Sequence, residues 1–209
     1  YESQLIQFDS RFDQWVAWQQ TPKTERTGPS PMTQEEVNGL KHFLNEGKCI
    51  TCHNGPLLTD MDFHNLGLGQ RAWLEGLPMD EGRKGGVAHL KASELNSLGQ
   101  HSANANGKRA QWTKYLISTP ENQGQFKTPS LRNVDLSPPY MHAGHFDDLE
   151  SVVRFYVKLD EETQTGHRED SLHPANLSPT QQLELVAFLK ALTGKPRKEE
   201  WFAPPAQLQ

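Results

Sequence analysis

Cys49-Ile50-Thr51-Cys52-His53 holds both cysteines of the chain and sets a histidine directly after the second. A C-x-x-C-H run is the attachment signature of a c-type haem. The two thiols add across the porphyrin vinyl groups, and the adjacent imidazole takes the iron from the proximal side. Cys49, Cys52 and His53 are therefore the expected cofactor-binding residues for one covalent haem c, with His53 as the proximal iron ligand. Other uses of a close cysteine pair fit less well. Structural zinc takes about four Cys or His ligands, and the chain has no second cysteine pair. A thioredoxin-like dithiol follows a strand in a βαβ pattern, whereas this one follows a helical pattern. A disulfide between such near neighbours would close almost no loop.

The bulk composition agrees with a buried prosthetic group. Only 34% of the 209 residues are hydrophobic, and the mean hydropathy is -0.75. That is thin for a core of this size, and a porphyrin would supply the missing apolar bulk. The 14 prolines and 16 glycines imply much irregular chain between short helices. Net charge is -5 with no basic block dense enough for nucleic acid. The run Lys195-Pro196-Arg197-Lys198 is followed by Glu199-Glu200 and reads as a solvated tail. No apolar run approaches transmembrane length. Haem c is attached outside the cytoplasm, so a periplasmic location is expected, reached by an export signal not present in this chain.

Helical periodicity recurs along the chain. Leu5, Phe8, Phe12, Trp15 and Val16 predict an amphipathic helix over 2–19, followed by a Pro/Gly/Thr/Ser linker to residue 32. Thr33-Gln34-Glu35-Glu36 is a capping box opening a second helix whose stripe is Val37, Leu40 and Leu44, with Gly47 as its stop. Leu57, Leu58, Phe63 and Leu66 then read as apolar cover on a loop. Residues 70–125 are polar and glycine-punctuated, a surface excursion with one short helix around Arg109–Leu116. Leu149, Val152, Val153 and Tyr156 fall at i, i+3, i+4 and i+7, one helix face. A last helix begins at Ser178-Pro179 and presents Leu185, Phe188, Leu189 and Leu192. The fold expected is all-α, helices around a haem with long irregular loops and no sheet.

Several stretches together resemble one family, the bacterial dihaem cytochrome c peroxidases and the related dihaem enzyme that matures methylamine dehydrogenase. They are Cys49-Ile-Thr-Cys-His-Asn-Gly-Pro-Leu-Leu-Thr-Asp60, Phe63-His-Asn-Leu-Gly67, Phe126-Lys-Thr-Pro-Ser-Leu-Arg-Asn-Val134 and Pro139-Tyr-Met-His-Ala-Gly144. Leu149-Glu-Ser-Val-Val-Arg-Phe-Tyr156 and Leu185-Val-Ala-Phe-Leu-Lys-Ala-Leu-Thr193 complete the set. The resemblance is to the family's C-terminal haem domain and spans most of the chain outside the excursion. It implies a cytochrome c-like domain over 33–194, preceded by a helix and linker (1–32) and followed by a tail (195–209). It also implies an electron-handling haem that serves a second haem, in a domain or subunit not in this chain, where hydrogen peroxide is the substrate. A small redox protein would be the electron partner. Calcium, which the family binds between its domains, would use backbone oxygens at Ser137 and Pro139 and a ligand from the other domain.

The second axial ligand sets the iron's chemistry. A methionine thioether favours Fe(II) and raises the potential, whereas a tyrosinate favours Fe(III). In the resembling family this residue lies on the helix after the Pro-Tyr-x-His-x-Gly loop, which makes Tyr156 the first candidate. Met141 is second and His142 third, with His145 behind them. Periodicity alone makes Tyr156 a core residue finishing its stripe. Arg132 matches a haem propionate bidentately or forms an ion pair at the surface. His64 suits a hydrogen bond near the haem or a structural role. Trp15, Trp18 and Trp112 suit electron flow or aromatic packing. Three functions follow: a haem domain of a peroxidase-like oxidoreductase, a stand-alone monohaem electron carrier, or a binding module that the haem holds together.

Overall fold

The computed structural model describes residues 8–70, 76–159 and 165–195. Six α-helices account for most of its regular structure: α1 (Arg11–Gln20), α2 (Gln34–Leu44), α3 (Arg83–Ala92), α4 (Lys108–Tyr115), α5 (Leu149–Lys158) and α6 (Pro179–Ala191). Single 3₁₀ turns stand at Cys49–Thr51, Pro120–Asn122 and Val134–Leu136. None of the described helices is long and apolar enough to cross a membrane.

Local sequence sets the helix starts. Thr33 accepts from the Glu36 N–H while the Glu36 carboxylate takes the Thr33 N–H, and Ser178 and Gln181 do the same for α6 behind Pro179. α1 begins later than its apolar spacing suggests. Ser10 and Asp13 form a third capping box, so Phe8 precedes the helix, and Leu5 lies outside the described residues. A cap outranks periodicity here because it satisfies N–H groups that the first turn otherwise leaves unpaired.

α6 is the platform of the core. Leu185, Val186, Phe188, Leu189 and Ala191 are all buried on it. α2 crosses it at Gly39, where an added Cβ would stand 1.9 Å from the Glu184 carbonyl oxygen and 2.8 Å from Phe188 Cβ. Phe43 of α2 and Phe12 of α1 set their rings 5.2 and 5.6 Å from the Phe188 ring. At the rim, Glu184 accepts from Asn38 Nδ2 at 2.8 Å and meets His42 Nε2 at 2.9 Å. α5 adds Leu149 and Val153 to the same core and turns Phe155 toward a smaller cluster with Leu68 and Leu159.

One small sheet corrects the expectation of none. β1 (Phe63–His64) pairs antiparallel with β2 (Phe126–Lys127), Phe63 opposite Lys127 and His64 opposite Phe126. Two residues per strand are too few to show a period of two in sequence. Between these strands the excursion carries α4 where a helix was expected, and α3, which was not. α3 contains Gly85 and Gly86 and has no side-chain cap, so neither propensity nor capping announced it.

The α2–α6 crossing gives a direct test. Gly39→Ala should lower stability by about 1–3 kcal/mol, since the methyl must displace backbone of α6. Urea denaturation of the wild type and variant measures this; equal midpoints would contradict the close approach.

Candidate haem-attachment site

The motif is delivered by the end of α2. Asn45 caps the helix, the Gly47 N–H donates to the His42 carbonyl at 2.8 Å, and Lys48 turns the chain with a left-handed φ of 51°. Cys49–Thr51 then form a 3₁₀ turn, and the His53 N–H donates to the Cys49 carbonyl at 2.9 Å. Both thiols and the imidazole are thereby carried on a little over one turn of chain.

His53 is oriented by backbone. Its Nδ1 lies 3.0 Å from the Leu58 carbonyl oxygen, and Leu58 holds a φ of 53°. A carbonyl can only accept, so Nδ1 carries the proton and the lone pair of the neutral ring sits on Nε2. Burial, only partly offset by the Leu58 carbonyl, Asp60 and the Pro129 carbonyl, holds the ring's pKa below its ordinary value. This is the arrangement of a metal-ligating histidine, with one nitrogen anchored and the other basic and unprotonated.

The cysteines are neutral thiols in this environment. They are unpaired with each other, and burial pushes Cys49 up to about 12 and Cys52 up to about 11, the latter helped by Asp60 and Glu169. A redox dithiol or a zinc thiolate needs the opposite, a depressed pKa beside positive charge. Cys52, Asp60 and His64 bring ligand atoms within 4.8 Å of one another, and both His64 nitrogens are already engaged by Asp60 and Glu169.

The Tyr156 phenol is raised in pKa by burial first, and then by the nearby Cys49 and Cys52, so it lies near the motif. Met141 packs in the same small cluster, beside Tyr156, Leu66 and Phe146, with a left-handed φ of 68°. The His142 ring stacks on Phe126 at 3.7 Å and lines, with Met141, Met79 and Asp80, an open cavity of about 490 Å³. Burial and the neighbouring His145 lower it to about 4. His145 Nε2 is hydrogen-bonded to the Gly69 carbonyl oxygen at 2.8 Å.

Arg132 is moored. Nη1 reaches both Asp13 carboxylate oxygens at 2.6 and 2.7 Å, while Nε and Nη2 share the Pro56 carbonyl oxygen at 3.0 and 2.9 Å. Its guanidinium ties α1 to the loop after the motif, with Phe8 against its face at 4.7 Å. Trp15 packs on the core, Trp18 carries Arg26 over its ring at 4.2 Å, and Trp112 is exposed. Ser137 caps the turn at Val134–Leu136, and Pro139 follows a cis peptide bond.

Known proteins resemble the chain as follows. A cytochrome-c peroxidase of Denitromonas iodatirespirans is 34% identical over 168 residues, covering 80% of this chain and 42% of that protein. The methylamine utilization protein MauG of Methylorubrum extorquens is 27% identical over 196 residues, covering 94% of this chain and 42% of that protein. The chain is a homologue of the dihaem cytochrome c peroxidases and MauG. It spans less than half the length of these curated relatives. A solved diheme peroxidase of Burkholderia thailandensis superimposes with a TM-score of 0.58 at 22% identity, over 92% of this chain and 48% of that one. No protein-family model matches the chain.

Within this homologue, sequence reasoning missed the partners of two histidines. The Leu58 carbonyl is backbone and leaves no side-chain signal. His64 lies between carboxylates, Nε2 2.8 Å from Asp60 and Nδ1 2.8 Å from Glu169. The Asp60–His64 spacing was visible in the sequence, whereas Glu169 arrives from 105 residues away. Burial alone would lower His64, but the hydrogen bonds that its N–H groups donate to Glu169 and Asp60 outweigh it and hold the imidazole above its ordinary value. Glu169 is lowered chiefly by His64, and Asp60, against its burial, by the Asp62 N–H and His64.

The sign of the pH dependence follows. A raised imidazole contributes stability below about 6.5 and loses it as pH climbs through the folded value. Lowered carboxylates contribute above about 4.3 and lose it as pH falls. The stability gap between wild type and His64→Gln should therefore be widest near about pH 5.5 and narrow toward about pH 9, read from urea midpoints. A gap that widens with alkaline pH would contradict the assigned ion triad.

Proposed function

We propose that this chain is the electron-handling haem c domain of a cytochrome c peroxidase-like oxidoreductase, an all-α, cytochrome c-like domain over 33–194. It works with a second haem in another domain or subunit, where hydrogen peroxide is the substrate. What supports this reading is an oriented, neutral imidazole in the motif and a buried phenol near its two thiols. His53 is anchored through Nδ1 on the Leu58 carbonyl, and the Tyr156 phenol lies within the electrostatic reach of Cys49 and Cys52.

The group expected there, one covalent haem c, supplies a one-electron iron couple. The residues present fit it. Cys49 and Cys52 offer unpaired thiols for the thioether bonds, and His53 offers a neutral, oriented nitrogen. Tyr156 keeps its proton in the metal-free protein because its surroundings are apolar; a bound cation reverses that preference. As a hard anion Tyr156 would hold the iron ferric and the potential low, suited to sharing oxidising equivalents with a second haem. Met141, in the same cluster, is the competing ligand, and His142, turned to the open cavity, is the third. Arg132, held by Asp13 and Pro56, would present its remaining donor capacity to a propionate. Calcium would enter only with the second domain. A small redox protein would deliver electrons in the periplasm.

One C-x-x-C-H motif lies within these 209 residues, which is also compatible with a second reading, a monohaem electron carrier. Peroxide turnover separates the two: the first requires it once the second haem partner is supplied, and the second never shows it.

Ligation is tested by the ferric optical and EPR spectra. The wild type should lack the methionine–iron charge-transfer band at the red end of the visible spectrum. Tyr156→Met should create that band and raise the midpoint potential by on the order of 0.1 V or more. A band present in the wild type and lost in Met141→Leu would assign the ligand to Met141 instead.

A further inference from the structure

The helical excursion between β1 and β2 is built unlike the rest of the molecule. Among the described residues, eight of the thirteen large apolar side chains left exposed lie between Leu77 and Ile117. α4 buries only Ala110; Trp112 is 64% exposed, and Tyr115 and Ile117 are each 70% exposed. A helix with so little buried surface gains little from packing, and clustered exposed aromatics mark interaction sites more than solvent faces.

Its charge is reversed as well. Residues 83–117 hold six of the chain's 21 Lys and Arg and one of its 26 Asp and Glu, Glu94. The chain as a whole is -5, so this segment is a basic island on an acidic protein. Lys91, Lys108, Arg109 and Lys114 have no carboxylate partner among the described residues. Instead Lys108 lies 5.5 Å from the centre of the Trp112 ring and Lys114 5.5 Å from that of Tyr115. Lys91 Nζ donates to the Leu116 carbonyl at 2.9 Å. Lys108, Trp112 and Tyr115 fall at i, i+4 and i+7, on one face of α4.

We propose that this face of the α3–α4 excursion is the docking surface for an acidic protein partner, with Trp112 and Tyr115 at its apolar centre and the four unpaired cations around them. Charge complementarity selects the partner: an acidic rim about an apolar patch would neutralise cations that no described carboxylate compensates. Given the electron-transfer reading above, on which this identification rests, the partner is a small electron carrier.

The test uses the haem-loaded full chain with two probe carriers of opposite surface charge, acidic plant plastocyanin and basic horse cytochrome c. Binding is followed by NMR shifts or calorimetry at low and moderate salt. Plastocyanin should bind and weaken about tenfold or more between about 20 and 200 mM salt, as surface charges become screened. The triple variant Lys108→Glu/Arg109→Glu/Lys114→Glu should weaken it at least about tenfold, and Trp112→Ala severalfold. Lys23→Glu, a distant surface change, should leave it unaltered. Unchanged haem content and circular dichroism certify each variant as folded. Plastocyanin binding indifferent to the triple variant would overturn the proposal. So would stronger binding of cytochrome c or of duplex DNA, or self-association through this face without plastocyanin binding. Stopped-flow oxidation of the ferrous haem by bound cupric plastocyanin, the downhill direction for a low-potential haem, is the separate arm. Binding without oxidation keeps the surface and removes the electron-transfer reading; oxidation that ignores the triple variant does the reverse.

Discussion

Phe188 has no exposed surface, and the molecule is arranged by what packs on it. Phe12 of α1 and Phe43 of α2 both meet its ring, and the absence of a side chain at Gly39 lets α2 lie on the backbone of α6. That contact fixes where α2 ends, and the cysteine motif begins five residues beyond its last helical residue. α5 packs on the same helix and carries Tyr156 back toward the motif. The helix that delivers the motif and the helix that carries Tyr156 thus both rest on α6.

The chemistry of that site is governed by burial and by one backbone hydrogen bond. Burial suppresses charge on His53 and keeps Cys49 and Cys52 protonated. The Leu58 carbonyl then selects the tautomer of His53. Together they leave an uncharged donor set, suited to covalent addition and imidazole ligation and ill suited to thiolate chemistry. The charged groups at its edge pair with one another, as Asp60 and Glu169 do with His64, and as Arg132 does with Asp13.

Much of this was legible because it is local. The capping boxes at Thr33 and Ser178, the stripe of α5 and the five residues of the motif are written within a few positions of each other. The start of α1 was missed because the Ser10–Asp13 cap competes with an apolar pattern that continues past it. α3 was missed for its glycines, and the strand pair for its brevity. Long-range facts had no sequence signal at all. Glu169 on His64 and Asp13 on Arg132 are products of the fold, the latter joining residues 119 apart. The basic, aromatic face of α4 was passed over as part of a polar excursion, and only the structure placed Lys108 and Lys114 beside its aromatic rings.

The measurement that bears most directly on this account is the intact mass of the chain purified from a periplasmic expression system with haem attachment machinery. The account predicts a mass increased by one haem that survives denaturation, lost when Cys49 and Cys52 are both replaced by alanine. A mass equal to the bare polypeptide, with both thiols open to alkylation, would contradict it.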